Sequence, residues 1–345
     1  MEEKDETMNQ AVMIRPGEIE FRDAPVPVLG KGQVLVRVRR IGVCGSDVHV
    51  FHGKHPFTSY PVVQGHEFSG VIEKIGKGVT GLRVGTLVTA TPQEVCGTCS
   101  PCRRGDYHIC DRLKVRGFQA PGCAQEWFVT EAAKIVPLPA SFTLEQGALV
   151  EPAAVGVHSA ARAGRLAGRR VAVLGAGPIG NLVGQVARAQ GAKVLITDIS
   201  DFRLDVAVRC GLKSVSPSKR ESLAEASRRV FGKSGFDVAF ECAGVEPALA
   251  AAVETIQKGG TIVLVGVYGE HPRVNLAFVQ DRELVLAGTL MYQYRDFIKA
   301  VRLMKTGAII TGPLETRHFP FLEYLEAYRF IDAQADKSMK VFIDL

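Results

Sequence analysis

The sequence predicts an α/β protein of two domains: a β-rich domain carrying metal-ligand patterns, and a doubly wound parallel sheet. Three observations predict it. A chain of 345 residues exceeds what one hydrophobic core usually serves. From Ala11 to about Pro152, short β-forming runs alternate with Gly and Pro turns, as in a small barrel or sandwich. From about Gly156 onward, strand-like and helical stretches alternate, as in a parallel sheet with helical crossovers.

In the β-rich part, strands are expected at residues 19–21, 34–41, 69–75, 86–91, 124–130 and 134–136. Period-2 alternation is clearest at Val34, Val36 and Val38. Residues 1–10, acidic and polar, read as a loose tail with no apolar signal-peptide core. No run of 18 apolar residues exists, so nothing is expected to span a membrane. With 46% apolar and 23% charged residues the chain is globular rather than disordered. The net charge of +6 comes from interleaved basic and acidic residues. That suits an anionic cofactor or substrate better than nucleic acid. A cytoplasmic location is expected.

The β-rich part is organised around residues 41–67. Cys44 follows the expected strand at 34–41, which the turn residues Gly42, Gly45 and Asp47 end. Twenty-two positions later, His66 and Glu67 bring an imidazole and a carboxylate. Sulfur, nitrogen and oxygen donors together suit zinc, and three protein ligands leave a position open for water or substrate. The triplet alone is equally compatible with a buried Cys beside an ordinary loop His–Glu pair.

A second metal pattern is sharper. Cys96, Cys99, Cys102 and Cys110 form C-x2-C-x2-C-x7-C, four thiols within fifteen residues. Four thiolates make a closed tetrahedral site that holds zinc structurally. An iron–sulfur cluster is the competing reading, and the seven-residue gap in a loop favours zinc. His108, inside this loop, is expected to be solvated. Cys123, Cys210 and Cys242 read as buried structural thiols.

In the second part, the run 170–174 is a short buried strand, followed by Gly175-Ala-Gly177-Pro-Ile179-Gly180 and a helix over 181–190. The next strand, 193–197, closes with Asp198, eighteen positions after Gly180. A GxGxxG turn between strand and helix, with an acidic residue at that distance, fits a dinucleotide pyrophosphate at a helix N-terminus. Asp198 is placed to accept from a ribose diol. Beside Asp201 it would repel a 2′-phosphate, so NAD is expected over NADP. Strands at 214–215, 236–241, 261–265 and 284–287, with helices at 202–210, 221–231 and 246–257, complete a six-stranded sheet. Helices at 297–305 and 321–333 and a strand at 340–343 could close back onto the first domain.

Taken together, these residues resemble the zinc-dependent medium-chain dehydrogenases, in the branch of sorbitol (polyol), threonine and butanediol dehydrogenases. The likeness rests on Cys44-Gly-Ser-Asp-Val-His49, Gly65-His66-Glu67, the four-Cys lobe, Glu151-Pro152, GAGPIG, Asp198 with Arg203, and Lys337-x-x-Lys340-Val. It runs from Ala11 to Leu345.

The resemblance implies a GroES-like β-barrel catalytic domain from both chain ends, 11–155 and 291–345, with a zinc lobe at 94–112. A Rossmann NAD-binding domain over 156–290 would lie between, the site being held in the cleft. It further implies that Cys44, His66 and Glu67 hold a catalytic zinc, that Glu151 reaches the metal directly or through water, and that each chain carries two zincs. Ser46 and His49 match proton-relay positions. In that relay Ser46 takes the proton of the alcohol and passes it through the nicotinamide ribose to His49, a residue type that titrates near neutral pH. Gly175, Gly177, Ile179, Gly180, Asp198 and Arg203 match pyrophosphate and adenosine contacts. Val265, Gly266, Val267, Thr289 and Leu290 match the backbone that meets the nicotinamide end.

The expected reaction removes hydride from a secondary alcohol such as sorbitol or L-iditol and delivers it to NAD. Cys44 and Glu67 together are expected to neutralise the zinc, leaving a mild Lewis acid. Phe57, Phe118 and Glu151 are expected to line the pocket. Where the polyol branch commonly has an Arg after the last sheet strand, this chain has Met291, with Arg295 four residues on. Either Arg295 substitutes or the substrate is less polar than a hexitol. His52, Lys54 and His55 could grip a sugar acid but read more simply as solvated loop residues. A threonine-type dehydrogenase is the second enzyme reading. A zinc-ribbon nucleic-acid-binding protein is the non-enzyme one, against which the lobe shows no interleaved aromatic ladder. The family suggests homotetramers or homodimers.

Overall fold

The structure is a computed structural model and describes residues 7–334 and 336–345. It divides into two compact units: residues 1–151, 293–301 and 315–345, and residues 152–292 and 302–314. The stretch 302–314, expected with the first domain, belongs to the second unit. The expected tail at 1–10 is partly strand: β1 starts at Thr7, and residues 1–6 lie outside the described residues.

In chain order the first unit begins with β1 (Thr7–Arg15), β2 (Glu18–Pro25), β3 (Gln33–Gly42), α1 (Gly45–Phe51), β4 (Val62–Val63), β5 (Glu67–Ile75) and β6 (Leu87–Ala90). There follow β7 (Gln93–Glu94), α2 (Ser100–Arg103), β8 (Lys114–Val115), β9 (Trp127–Glu131), β10 (Ile135–Pro137), α3 (Leu144–Ala148) and the start of α4 (Val150–Arg162). The main sheet runs β10-β6-β5-β3 and is completed by strands from the chain's end, with β9 also pairing β3. β3 is therefore central, and Val34, Val36, Val38 and Ile41 are all buried in the core. Each contributes about 1.5–3 kcal/mol by leaving water.

The second unit carries β11 (Arg170–Leu174), α5 (Pro178–Ala189), β12 (Lys193–Asp198), α6 (Asp201–Arg209), β13 (Ser214–Pro217), α7 (Leu223–Phe231) and β14 (Val238–Glu241). Then come α8 (Glu246–Thr255), β15 (Thr261–Leu264), α9 (Leu276–Asp281) and β16 (Val285–Gly288). The six strands are parallel in the order β13-β12-β11-β14-β15-β16. Counted within the sheet this is 3-2-1-4-5-6, an order of the doubly wound class expected. Buried runs such as Val171, Ala172 and Val173 read as continuous apolar stretches because helices cover both faces.

The chain ends with α10 (Tyr294–Lys305), β17 (Glu315–Pro320), α11 (Tyr324–Ala333) and β18 (Lys340–Asp344). β18 pairs antiparallel with β3, so the C-terminus does return to the β-rich unit. β17, which pairs parallel with β18, was not expected: Glu-Thr-Arg-His-Phe-Pro is too polar to signal a strand.

Candidate active site

Strand pairing brings the ends of the 41–67 segment together. β3 and β5 run antiparallel with Gly42 opposite Glu67, two residues before Cys44. Gly65 turns the chain into His66 at φ +88°, and a side chain there would press on the Cys123 sulfur. Donor atoms of Cys44, His66 and Glu67 consequently lie within 4.8 Å of one another. Sulfur, imidazole and carboxylate at that spacing fit a zinc ion.

What followed Cys44 was expected to be a turn; it is the helix α1. Cys44 is its N-cap, and Asp47, in the first turn, accepts the Cys44 N–H with Oδ2 at 2.9 Å. The other carboxylate oxygen, Oδ1, lies 3.5 Å from His66 Nδ1. Asp47 is wholly buried and thus orients the imidazole, as partners of metal-binding histidines do. Burial works against the His66 imidazolium, but Asp47 and Cys44 together outweigh it and hold the group well above its ordinary pKa. Loss of hydration pushes the Cys44 thiol up, and the Glu67 charge adds to that. A cation at the site would reverse both influences on the sulfur.

Lys340, at the start of β18 and 2% exposed, donates from Nζ to both oxygens of Glu67, at 2.5 Å to Oε1, and to the Val43 carbonyl at 3.2 Å. Burial alone would lower the Lys340 pKa. Glu67 and Cys44 more than offset it and hold the ammonium above its ordinary range, with Glu151 adding to the effect. The expected balance, Cys44 and Glu67 against the metal, leaves out this buried ammonium, which sits against Glu67 and near Cys44 and Glu151.

Glu151 is buried at the start of α4 and stands outside the three-donor cluster. Ser46 and His49 lie one turn apart on α1, the former half-buried and the latter exposed. Phe118 is buried, its ring 5.0 Å from that of His66. His55 was expected to be solvated; instead it stacks on Phe118 at 4.5 Å, with Nδ1 2.7 Å from the Thr58 hydroxyl. Burial, with His49 and His66 nearby, holds His55 below its ordinary pKa against the pull of Asp47. Phe57 is 73% exposed, Lys54 is exposed, and His52 pairs with Asp332 at the surface. Arg295 is exposed on α10, whereas Met291 takes the left-handed backbone at φ +52°.

In the lobe, all four thiols of Cys96, Cys99, Cys102 and Cys110 fall within 4.8 Å of one another. Backbone N–H groups of Thr98 and Cys99 donate to the Cys96 sulfur, and those of Cys96 and Arg112 donate to Cys110. Led by the Thr98 N–H, such donors bring Cys96 down to about 5, whereas lost hydration and crowding by Cys99 push Cys102 up to about 12. A bound cation would even out such a contrast between neighbouring sulfurs. His108 is buried against Gln293 (Nδ1 to Nε2, 3.0 Å), not solvated as expected.

In the second unit, Gly175 and Gly177 lie in the turn from β11 into α5, Ile179 and Gly180 stand in the first turn of α5, and Asp198 ends β12. Asp198 Oδ2 accepts from Ala176 N at 2.6 Å and Oδ1 from Ser200 N at 2.8 Å, leaving each oxygen one lone pair for a ribose hydroxyl. Asp201 is bound by Arg220 at 2.7 Å, so its charge is already paired and adds little against a 2′-phosphate. Arg203 lies on α6; Val265, Gly266 and Val267 follow β15; Thr289 and Leu290 follow β16. Cys242, expected to be buried, is half-buried.

Sequence reasoning missed Asp47 as a partner of His66 and gave Lys340 no role. A signal existed for each. Asp three positions after a would-be cap is a helix-start signature, and a lone Lys opening an apolar final strand calls for a buried carboxylate.

Comparison with known proteins places this architecture. Residues 30–140 match the family described as alcohol dehydrogenase GroES-like domain, and residues 178–306 the one described as zinc-binding dehydrogenase. The chain is 36% identical to a 2-dehydro-3-deoxy-L-galactonate 5-dehydrogenase of Pseudoalteromonas atlantica, covering 91% of this chain and 92% of the other. It is 32% identical to a sorbitol dehydrogenase of Halalkalibacterium halodurans, covering 95% and 96%. A solved Escherichia coli alcohol dehydrogenase complexed with NADH superimposes at a TM-score of 0.91, with 28% identity and 98% and 99% coverage. The donor triplet, the four-thiol lobe and the GxGxxG turn stand on a chain that belongs to the zinc-dependent medium-chain alcohol dehydrogenases, with polyol and sugar-acid dehydrogenases among its relatives.

Proposed function

We propose that the protein is an NAD- and zinc-dependent dehydrogenase that oxidises a secondary alcohol of a polyol. The observation that carries this reading is the Cys44, His66 and Glu67 donor triplet, braced by Asp47 and Lys340. When bound, zinc supplies the positive charge an alcohol oxygen needs as its proton leaves, and the nicotinamide accepts the hydride. Ser46 takes the proton from the substrate oxygen, and exposed His49, one turn along α1, delivers it to solvent. Glu151 holds a negative charge close to Lys340. Cys96, Cys99, Cys102 and Cys110 hold a second, structural zinc.

His55 favours a polyol over its sugar acid. Held below its ordinary pKa, it is a neutral imidazole that can hydrogen-bond a hydroxyl but offers no charge to a carboxylate. Phe118 supplies the apolar wall behind it. A sugar acid remains the second reading, supported by the galactonate-type relative. The decisive measurement is NADH absorbance over polyols, sugar acids, diols and threonine, with zinc content on the same preparation. Two zincs per chain and the highest kcat/KM on a polyol are expected. A single zinc, or turnover confined to threonine, overturns the reading.

For the cofactor, Asp198→Ala removes a negative charge and frees the Ala176 and Ser200 N–H donors. NADP use relative to NAD should rise by roughly tenfold or more, the scale of one charged hydrogen bond; an unchanged ratio removes the role given to Asp198. Eight free thiols fit a reducing cytoplasm. The family resemblance supports a homodimer or homotetramer, with a small-molecule alcohol rather than nucleic acid or membrane as partner. Among the described residues no helix is long and apolar enough to cross a membrane.

A further inference from the structure

We infer that Glu241 and Tyr268 are positioning residues for the nicotinamide half of the dinucleotide, fixing the loops that follow β14 and β15. This rests on the NAD reading above.

In a doubly wound sheet the ligand lies across the carboxyl ends of the strands where the order reverses. Here the reversal falls between β11 and β14. The GxGxxG turn leaves β11 and Asp198 ends β12, which assigns the adenosine half to the β12 side. The other half must then cross the ends of β14 and β15.

Glu241 is the last residue of β14 and is wholly buried. Its Oε1 accepts from the N–H groups of Ala243 and Gly244, each at 2.9 Å, and its Oε2 accepts from the Tyr268 hydroxyl at 2.8 Å. Its carbonyl accepts from the N–H groups of Val265 and Gly266, each at 2.8 Å. One residue thus gathers five hydrogen bonds from both loops. The loops are packed without slack: a Cβ on Gly266 would lie 2.2 Å from the Gly244 nitrogen and 2.9 Å from Glu241 Oε2. The first loop also abuts the pyrophosphate turn, since a Cβ on Gly175 would lie 3.1 Å from the Ala243 nitrogen. Burial and the Glu241 charge push the Tyr268 phenol well above its ordinary range, so it stays a donor.

The sheet does not require a carboxylate here. Val238, Ala239 and Phe240 complete the same strand with apolar side chains, and a buried acid costs free energy unless fully hydrogen-bonded. Its place at the ligand end of β14, tied to the loop bearing Gly266 and Val267, is accounted for by what that loop must hold.

The test compares NADH with ADP-ribose, which lacks the nicotinamide, on the full-length zinc-loaded protein. NADH is followed by fluorescence and ADP-ribose by competition, for wild type, Glu241→Gln and Tyr268→Phe. The expected result is an NADH Kd raised roughly tenfold in Glu241→Gln, the scale of a lost hydrogen bond to a charged group, and about threefold in Tyr268→Phe. ADP-ribose affinity should stay within about twofold of wild type in both, because it lacks the nicotinamide ring that the two loops are inferred to hold. Should Glu241→Gln fail to fold, Tyr268→Phe, which removes one hydroxyl, carries the same contrast. Equal weakening of both ligands would mean a purely structural role and overturn the inference, as would unchanged NADH binding. A wild-type protein that binds neither ligand would remove the NAD reading itself and this inference with it.

Discussion

Lys340→Met should destabilise the metal-free protein by about 3–5 kcal/mol, because it strands a buried carboxylate without its counter-ion. Lys340 and Glu67 are 2% and 0% exposed, and the ammonium reaches both carboxylate oxygens. Nothing else described donates a hydrogen bond to Glu67, and water has no access to repay the lost one. Methionine matches the length of the lysine stem and leaves little cavity, so the loss reports the charge and not the packing. The double variant Glu67→Gln with Lys340→Met should regain most of the stability, since removing both partners of a buried pair is far less damaging than removing one. Added zinc should restore part of the single variant's loss by supplying the missing cation. Urea unfolding of the four proteins of the cycle, with and without chelator, measures all of this. A single variant within about 1 kcal/mol of wild type, or a double variant no better than the single, would show that the pair is not what balances Glu67.

The sequence was most readable where short-range chemistry fixes the answer. C-x2-C-x2-C-x7-C can close on one ion because its own turns bring the sulfurs together, and the GxGxxG turn is defined by the strand before it and the helix after it. Six parallel strands follow from alternating apolar runs and helices, and their order is the one most such sheets adopt. What was hidden depends on contacts between residues far apart in the chain. Lys340 meets Glu67 across 273 positions, through the pairing of β18 with β3. His108 is buried where Gln293, 185 positions on, folds against it. His55 looked like one more polar loop residue because nothing local announces that Phe118 will stack on it. The helix α1 was missed for a different reason: Gly42 and Gly45 suggest a turn, and Asp47, whose bond to the Cys44 N–H caps the helix, was read as part of that turn.

Asp47 carries the second large effect. Asp47→Asn is nearly isosteric, and its amide oxygen can still accept the Cys44 N–H, so α1 should keep its cap with a stability loss of about 1 kcal/mol or less. The charge facing His66 Nδ1 at 3.5 Å is lost, and with it the group that orients the imidazole and raises its basicity. Removing such a partner costs about 10–100-fold in metal affinity. Because the lobe thiols of Cys96, Cys99, Cys102 and Cys110 share no residue with this site, the two zincs should separate. In a chelator titration of Asp47→Asn, one zinc per chain should leave at roughly 10–100-fold lower chelator than in wild type, with activity falling in step, while the other stays put. Joint loss of both zincs would mean that the substitution unfolds the unit, and an unshifted titration would reduce Asp47 to a helix cap. The intended outcome requires the carboxylate to act on His66 through charge. Asp47→Ala should then weaken the site no less than Asp47→Asn, while adding the cost of the lost cap.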